Sequence, residues 1–157
     1  MKLTTKGRYA VMAMADLARY STGRPVALAD IAERQEISLS YLEQLFAKLR
    51  RGNLVKSVRG PGGGYLLSRH ADDIRISDVI LAVDEPIKAT RCEVGSPKGC
   101  MGNNSSRCIT HDLWAELSHH IQLFLGSVSL GDVINGRVVS TASPRPAPEQ
   151  AISNAAD

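Results

Sequence analysis

Three cysteines and one histidine have the residue types and spacing to do chemistry in this chain. Cys92, Cys100 and Cys108 share a 17-residue window, and His111 follows three positions after the last. An odd number of cysteines in one loop argues against a disulfide framework and for metal or redox chemistry. Three soft thiolates and one imidazole make four donors, a complete set for a metal centre. Spacing leaves two metals open. A structural zinc site of Cys3His type needs only these donors, although zinc modules commonly pair ligands as C-x2-C and this loop does not. An iron–sulfur cluster takes the same donors and responds to oxidant and iron supply. Thiols without metal are a third reading. The offset of His111 from Cys108 and the need for a fourth ligand favour ligation over an ordinary surface histidine. His70, His119 and His120 have no such context.

These donors must be carried by a loop that folds around a centre. Residues 86–110 are rich in Gly, Pro, Asn and Ser and hold all three cysteines. Cys108 and His111 fall where a helix begins near Thr110, a natural cap, and a helix N-terminus lowers thiolate pKa. Along that helix Trp114, Leu117, Ile121, Phe124 and Val128 alternate spacings of 3 and 4. Two such heptads fit either packing on the chain's own domain or a seam with a second copy. Ser129 can cap a last short helix to Ile134. The proline-rich segment from Ser143 to Pro148 has no apolar pattern around it, which predicts a disordered tail over 137–157.

Charge separates this loop from what precedes it. Residues 1–60 hold 11 Lys and Arg against 5 Asp and Glu, a net of +6, while residues 61–157 hold 8 against 11, a net of −3. A local basic excess is how a nucleic-acid-binding face reads in sequence. Aromatic residues are only 4% of the chain, which disfavours base-stacking platforms.

The basic part reads as three helices and a hairpin. Helical spacing runs over 8–20 with Thr4 or Thr5 as cap, then over about 27–34, then from Ser38 to the stop at Gly52-Asn53. In the third helix Leu42, Leu45, Phe46 and Leu49 form one apolar stripe, and Ser40 with Glu43 matches a capping box. A polar, partly basic second helix after a short turn is the helix-turn-helix pattern. Leu54–Val58 and Tyr65–Leu67 flank Arg59-Gly60-Pro61-Gly62-Gly63-Gly64, a hairpin in the position of a wing. A nucleotide-phosphate loop does not fit those glycines, since its Lys-Ser/Thr ending and following helix are missing. Ser77 is placed to cap a further helix ending before Pro86. The fold class expected is mainly α with a small β wing: a winged helix-turn-helix domain plus a long C-terminal dimerisation helix.

Lys6-Gly7-Arg8-Tyr9-Ala10, Ile37-Ser38-Leu39-Ser40-Tyr41-Leu42-Glu43-Gln44-Leu45-Phe46 and Val58-Arg59-Gly60-Pro61-Gly62-Gly63-Gly64-Tyr65-Leu66-Leu67 closely resemble the IscR family. These are the iron–sulfur cluster regulators of bacteria. The likeness continues through Val83-Asp84-Glu85, Thr90-Arg91-Cys92, Cys108-Ile109-Thr110-His111 and Leu113-Trp114, and covers about residues 1–135. It implies a homodimeric transcription factor with one 2Fe–2S cluster per subunit, held by Cys92, Cys100, Cys108 and His111. Such a protein represses cluster-assembly genes when cluster is plentiful, binds a second class of promoter without cluster, and receives cluster from the assembly machinery. The gaps between cysteines are longer here than is usual in that family. Nitric-oxide-sensing relatives share the three cysteines, and the Cys-x-Thr-His pattern favours the cluster regulator. The implied organisation is a DNA-binding domain over 1–85, a cluster loop over 86–111, the dimer helix and final short helix over 112–136, and the tail.

On this reading the third helix enters the major groove of double-stranded promoter DNA with two-fold symmetry. Ser40, Glu43 and Gln44 lie on its exposed face near the N-terminus. Gln pairs bidentately with adenine and Glu accepts from cytosine N4. A carboxylate there also penalises wrong sequences, making Glu43 a discriminator between site classes. Lys6, Tyr9, Ser38 and Tyr41 are candidates for backbone contacts. At the wing, Arg59 can enter a minor groove while Gly60 and Pro61 form the approach to the backbone. Two other classes compete: a zinc-stapled DNA-binding protein without sensing, and an iron–sulfur electron carrier, which leaves the basic half unexplained. No catalytic set or dinucleotide fingerprint is present, so no enzyme is expected. No apolar run approaches the ~20 residues of a membrane span, and the N-terminus lacks a signal-peptide stretch, so the expected location is the cytoplasm.

Overall fold

The computed structural model describes residues 4–87 and 108–138. Three helices, α1 (Thr5–Tyr20), α2 (Leu28–Gln35) and α3 (Leu39–Arg51), precede a hairpin of β1 (Val55–Val58) and β2 (Gly64–Leu67). A 3-10 turn at Ala71–Asp73, α4 (Ile76–Ala82), α5 (His111–Ser127) and α6 (Leu130–Ile134) complete the order. The winged helix-turn-helix expectation therefore holds for the described part. No helix among the described residues is long and apolar enough to cross a membrane.

The core follows from helical periodicity. Ala10, Ala13, Met14 and Leu17 of α1 and Leu42, Leu45, Phe46 and Leu49 of α3 are all buried, each set at i, i+3, i+4, i+7. Ile31 of α2 and Val79 and Ile80 of α4 close the cluster. Phe46 is fully buried, with the Tyr65 ring 4.9 Å away in an edge contact that ties α3 to the wing. Phe46→Ala should cost about 3–5 kcal/mol of folding stability, read as a lower denaturant midpoint. A loss below about 1 kcal/mol would contradict this core.

The hairpin pairs Val55 with Leu67 and Val58 with Gly64. Its root is held by a second backbone ladder, in which Val26 and Tyr65 exchange N–H···O bonds of 2.9 and 2.8 Å. A Cβ on Gly64 would stand 2.2 Å from the Val26 carbonyl oxygen, so only glycine allows the strand this close. The α1–α2 junction is fixed by Asp16, 4% exposed, whose carboxylate accepts from Arg34 at 2.6 Å and from Gln35 at 2.8 Å. The Arg34 guanidinium also lies 4.2 Å over the Tyr20 ring.

Several local expectations are corrected. α1 starts one turn earlier than residue 8, because Thr4 caps it and further acceptors come from elsewhere in the fold. The Ser40–Glu43 capping box does not form: Ser38 is the N-cap, no side chain caps α3, and both Ser40 and Glu43 are exposed. Ser77 lies inside α4, whose N-cap is Arg75. By contrast Ser129 and Asp132 do form a capping box at α6. Arg137, expected in the tail, is anchored to Asp132 at 3.2 Å and to Asp72 at 3.1 Å. Residues 139–157, most of the expected tail, lie outside the described residues.

α5 puts its apolar residues to two uses. Ile121 and Leu125 pack against the core, while Trp114 (41% exposed), Leu117 (38%) and Phe124 (40%) face outward. α6 then returns to the body, with Leu130 fully buried and its N–H bonded to the Ile74 carbonyl at 2.8 Å.

Candidate nucleic-acid interface

The outer face of α3 is built by what its inner face buries. With Leu42, Leu45, Phe46 and Leu49 turned inward, Ser40, Glu43 and Gln44 are exposed together, beyond the exposed N-cap Ser38. Among the described residues no cap engages the Glu43 carboxylate, which is left exposed on this face. Tyr41 is half-buried at the edge of this face and meets Tyr9 of α1, ring centroids 6.1 Å apart and nearly perpendicular. Lys6 lies one turn before Tyr9, also half-buried. At the wing tip Arg59, Gly60 and Pro61 are exposed, and Gly63 N–H closes the turn onto the Gly60 carbonyl at 2.9 Å. Thus the sequence-derived candidates form two groups: one along α3 with the start of α1, and one at the wing tip.

Sequence reasoning missed what holds the start of α1. Glu85 is 4% exposed, and its carboxylate accepts from the backbone N–H of Thr4 and, at 2.5 Å, of Gly7. These are the N-cap and third helical positions, so a distant carboxylate satisfies two donors left open by the helix and complements its dipole. Gly7 is required for this approach: a Cβ there would stand 2.7 Å from Glu85 Oε2. The available signal was weak: Gly7 stands just before the expected helix over 8–20, and only once α1 begins at Thr5 is it a glycine inside a helix, where it otherwise costs about 1 kcal/mol. An ordinary Gly-to-Ala exchange in a helix stabilises by about 0.4–1 kcal/mol. Gly7→Ala should do the opposite, destabilising by about 1–3 kcal/mol in urea melts as the buried carboxylate is pushed from its donors. A stabilised variant would contradict the Glu85 contact.

Asp84, next in the chain, reaches the other element. Its carboxylate pairs with Lys48 of α3 at 2.7 Å. Lys48, beside it, holds the Asp84 carboxyl below its usual range. Asp84 raises the Lys48 ammonium, while Lys48 crowds Lys6 and lowers it.

Two of the four candidate metal donors are described. Cys108 is half-buried, and its carbonyl accepts from the His111 N–H at 2.9 Å, closing a turn that leads from Cys108 into His111, the first residue of α5. The Thr110 hydroxyl does not cap the helix but lies 3.7 Å from Cys108 Sγ. Cys92 and Cys100 lie outside the described residues. The donor types suit a cluster: a sulfur and an imidazole nitrogen are offered within three positions of each other where α5 begins. Each end of the cysteine segment meets α5. Cys108 enters it, and Ile87 accepts through its carbonyl from Gln122 Nε2 at 3.2 Å.

Residues 3–136 match the model of the family described as Rrf2, iron-dependent transcriptional regulator. The HTH-type transcriptional regulator IscR of Xenorhabdus nematophila is 56% identical over 92% of this chain and 86% of its own length. That of Photorhabdus laumondii is 55% identical with the same coverage. Among solved structures, T. potens IscR superposes with a TM-score of 0.69 and 38% identity, covering 87% of this chain and 88% of that one. CymR, the global cysteine regulator of B. subtilis, gives 0.71 and 32% over 87% of this chain and 98% of its own.

Proposed function

The chain belongs to the Rrf2 family of iron-dependent transcriptional regulators and is of the IscR type, and from that premise we propose that it is a homodimer whose DNA affinity is set by a 2Fe–2S cluster. One cluster per subunit would be held by Cys92, Cys100, Cys108 and His111. When bound it supplies a redox-active, iron-dependent staple joining the cysteine segment to α5. With cluster, the protein represses genes for cluster assembly, and without it binds a second class of sites. The assembly machinery is the cluster donor, and the work is done on double-stranded DNA in the cytoplasm.

The observation that carries the DNA part is the exposed row of Ser40, Glu43 and Gln44 on α3, free of any capping role. α3 reads the major groove with Glu43 and Gln44, and Ser38, Tyr41, Lys6 and Tyr9 contact the backbone. Arg59, beside Gly60 and Pro61, enters a minor groove. Coupling to the cysteine segment has a physical route. Its near end is rooted beside Glu85 and Asp84, which grip α1 and Lys48, and its far end begins α5. Ligation would shift the population of α5 arrangements and with it the spacing of two recognition helices.

Selection of duplexes from a random pool by anaerobically purified protein tests the reading. It should enrich a two-fold symmetric motif with half-sites one helical turn or a multiple apart. No enrichment over unrelated duplex would overturn it.

A further inference from the structure

One exposed carboxylate, that of Asp84, stands on the DNA-facing side, and the reading so far gives it no part in contact with the duplex. Lys48 follows Gln44 by one helical turn and Tyr41 by two, so these three share one edge of α3. α1 meets α3 on that edge at two levels: Tyr9 against Tyr41, and Lys6 close enough to Lys48 for the two ammonium groups to crowd. The flank of a helix lying in the major groove is where a duplex presents its backbone phosphates. Two crowded cations gain from an anion between them. At present the anion on Lys48 is Asp84, at 2.7 Å, with its side chain 75% exposed and that of Lys48 28%.

A solvent-exposed pair of this kind contributes little to stability, yet the backbone is shaped to present it. Asp84 sits at φ 55°, in the left-handed region, between the end of α4 and the buried Glu85. Its N–H bonds the Leu81 carbonyl at 3.0 Å. The carboxylate is thus held at the DNA-facing edge by a neighbour that cannot move without uncapping α1.

We propose that Lys48, with Lys6 beside it, is a seat for a DNA backbone phosphate, and that Asp84 is the built-in competitor for that seat. The inference rests on the DNA-binding reading and deepens it. Asp84 lowers affinity for duplexes of every sequence, so that base contacts made by α3 count for more in the choice of site. It does not discriminate between bases, because its target is the backbone.

The test is a double-mutant cycle of Asp84→Asn and Lys48→Gln, with affinities measured by fluorescence anisotropy over a salt series. Two probes are used: a duplex selected by the wild-type protein and an unrelated duplex of equal length. Asn tolerates the left-handed backbone, and Gln is a good helix former at the exposed edge, so both variants keep the fold. Asp84→Asn should tighten both duplexes roughly three- to tenfold and steepen the log–log salt slope by about 1, one added phosphate contact. Lys48→Gln should weaken both and flatten the slope. In the Lys48→Gln background the gain from Asp84→Asn should vanish. No tightening by Asp84→Asn, or an undiminished gain without Lys48, overturns the proposal while leaving wild-type duplex binding intact. A wild-type protein that binds no duplex would overturn the DNA reading and this inference together.

Discussion

Replacing Cys92, Cys100 and Cys108 together by Ala should give a colourless, iron-free protein after purification without oxygen. The wild-type chain prepared alongside should absorb in the visible and carry about two iron atoms and two acid-labile sulfides per chain. His111 cannot hold a cluster alone, since the irons need thiolate charge. The loss should leave folding intact. α5 has no buried residue and Cys108 precedes it at the surface of the body, so the variant's melt should stay within about 1 kcal/mol of wild type. His111→Cys separates ligation from mere proximity. It should keep the colour but lower the reduction potential, because imidazole ligands raise it relative to thiolates. Unchanged colour and iron in the triple variant would rule out these ligands. One zinc and no sulfide in the wild type would turn the centre into a structural staple.

Leu117→Glu should convert the proposed dimer to monomer and weaken binding to a two-fold site by roughly 100-fold or more, as joined half-sites become separate ones. Trp114, Leu117, Phe124 and the 62% exposed Leu113 lie on one apolar arc of α5, next to Ile121 and Leu125, which the core already covers. Such an arc on a small monomer marks a contact surface, and its heptad spacing fits a second copy of the same helix. Because Leu117 is an exposed residue, a charge there spares the fold, whereas Ile121, which packs on the core, would as Glu strike both the seam and the core. Sedimentation equilibrium and duplex titration read the result. A variant that stays dimeric with unchanged affinity would contradict the seam.

Legibility in the sequence followed the range of the interaction. The stripe Leu42, Leu45, Phe46 and Leu49 was readable because a helix writes its buried face at fixed intervals, and the exposed Ser40, Glu43 and Gln44 follow by exclusion. Ser129 caps α6 as expected and gains Asp132 as the second half of a capping box, but Ser40 with Glu43 forms none, since the backbone puts the N-cap of α3 two residues earlier, at Ser38. The start of α1 was misjudged because its acceptor, Glu85, lies 78 residues from Gly7. No local pattern reports such a partner. The same limit hid Lys48 and Asp84, unremarkable until the fold sets them 2.7 Å apart. Periodicity could not divide the α5 stripe, since residues facing the core and residues facing a partner share one spacing.

Control of DNA binding by the cluster would join two halves of the chain, and one titration tests both together. Anaerobic, cluster-loaded protein and the same preparation after chelation of its iron are titrated onto one duplex selected by the loaded form. The loaded protein should bind at least tenfold tighter, while the cluster-free protein keeps measurable affinity for duplexes of a second kind. Equal affinity of both forms for every duplex would contradict control of DNA binding by the cluster.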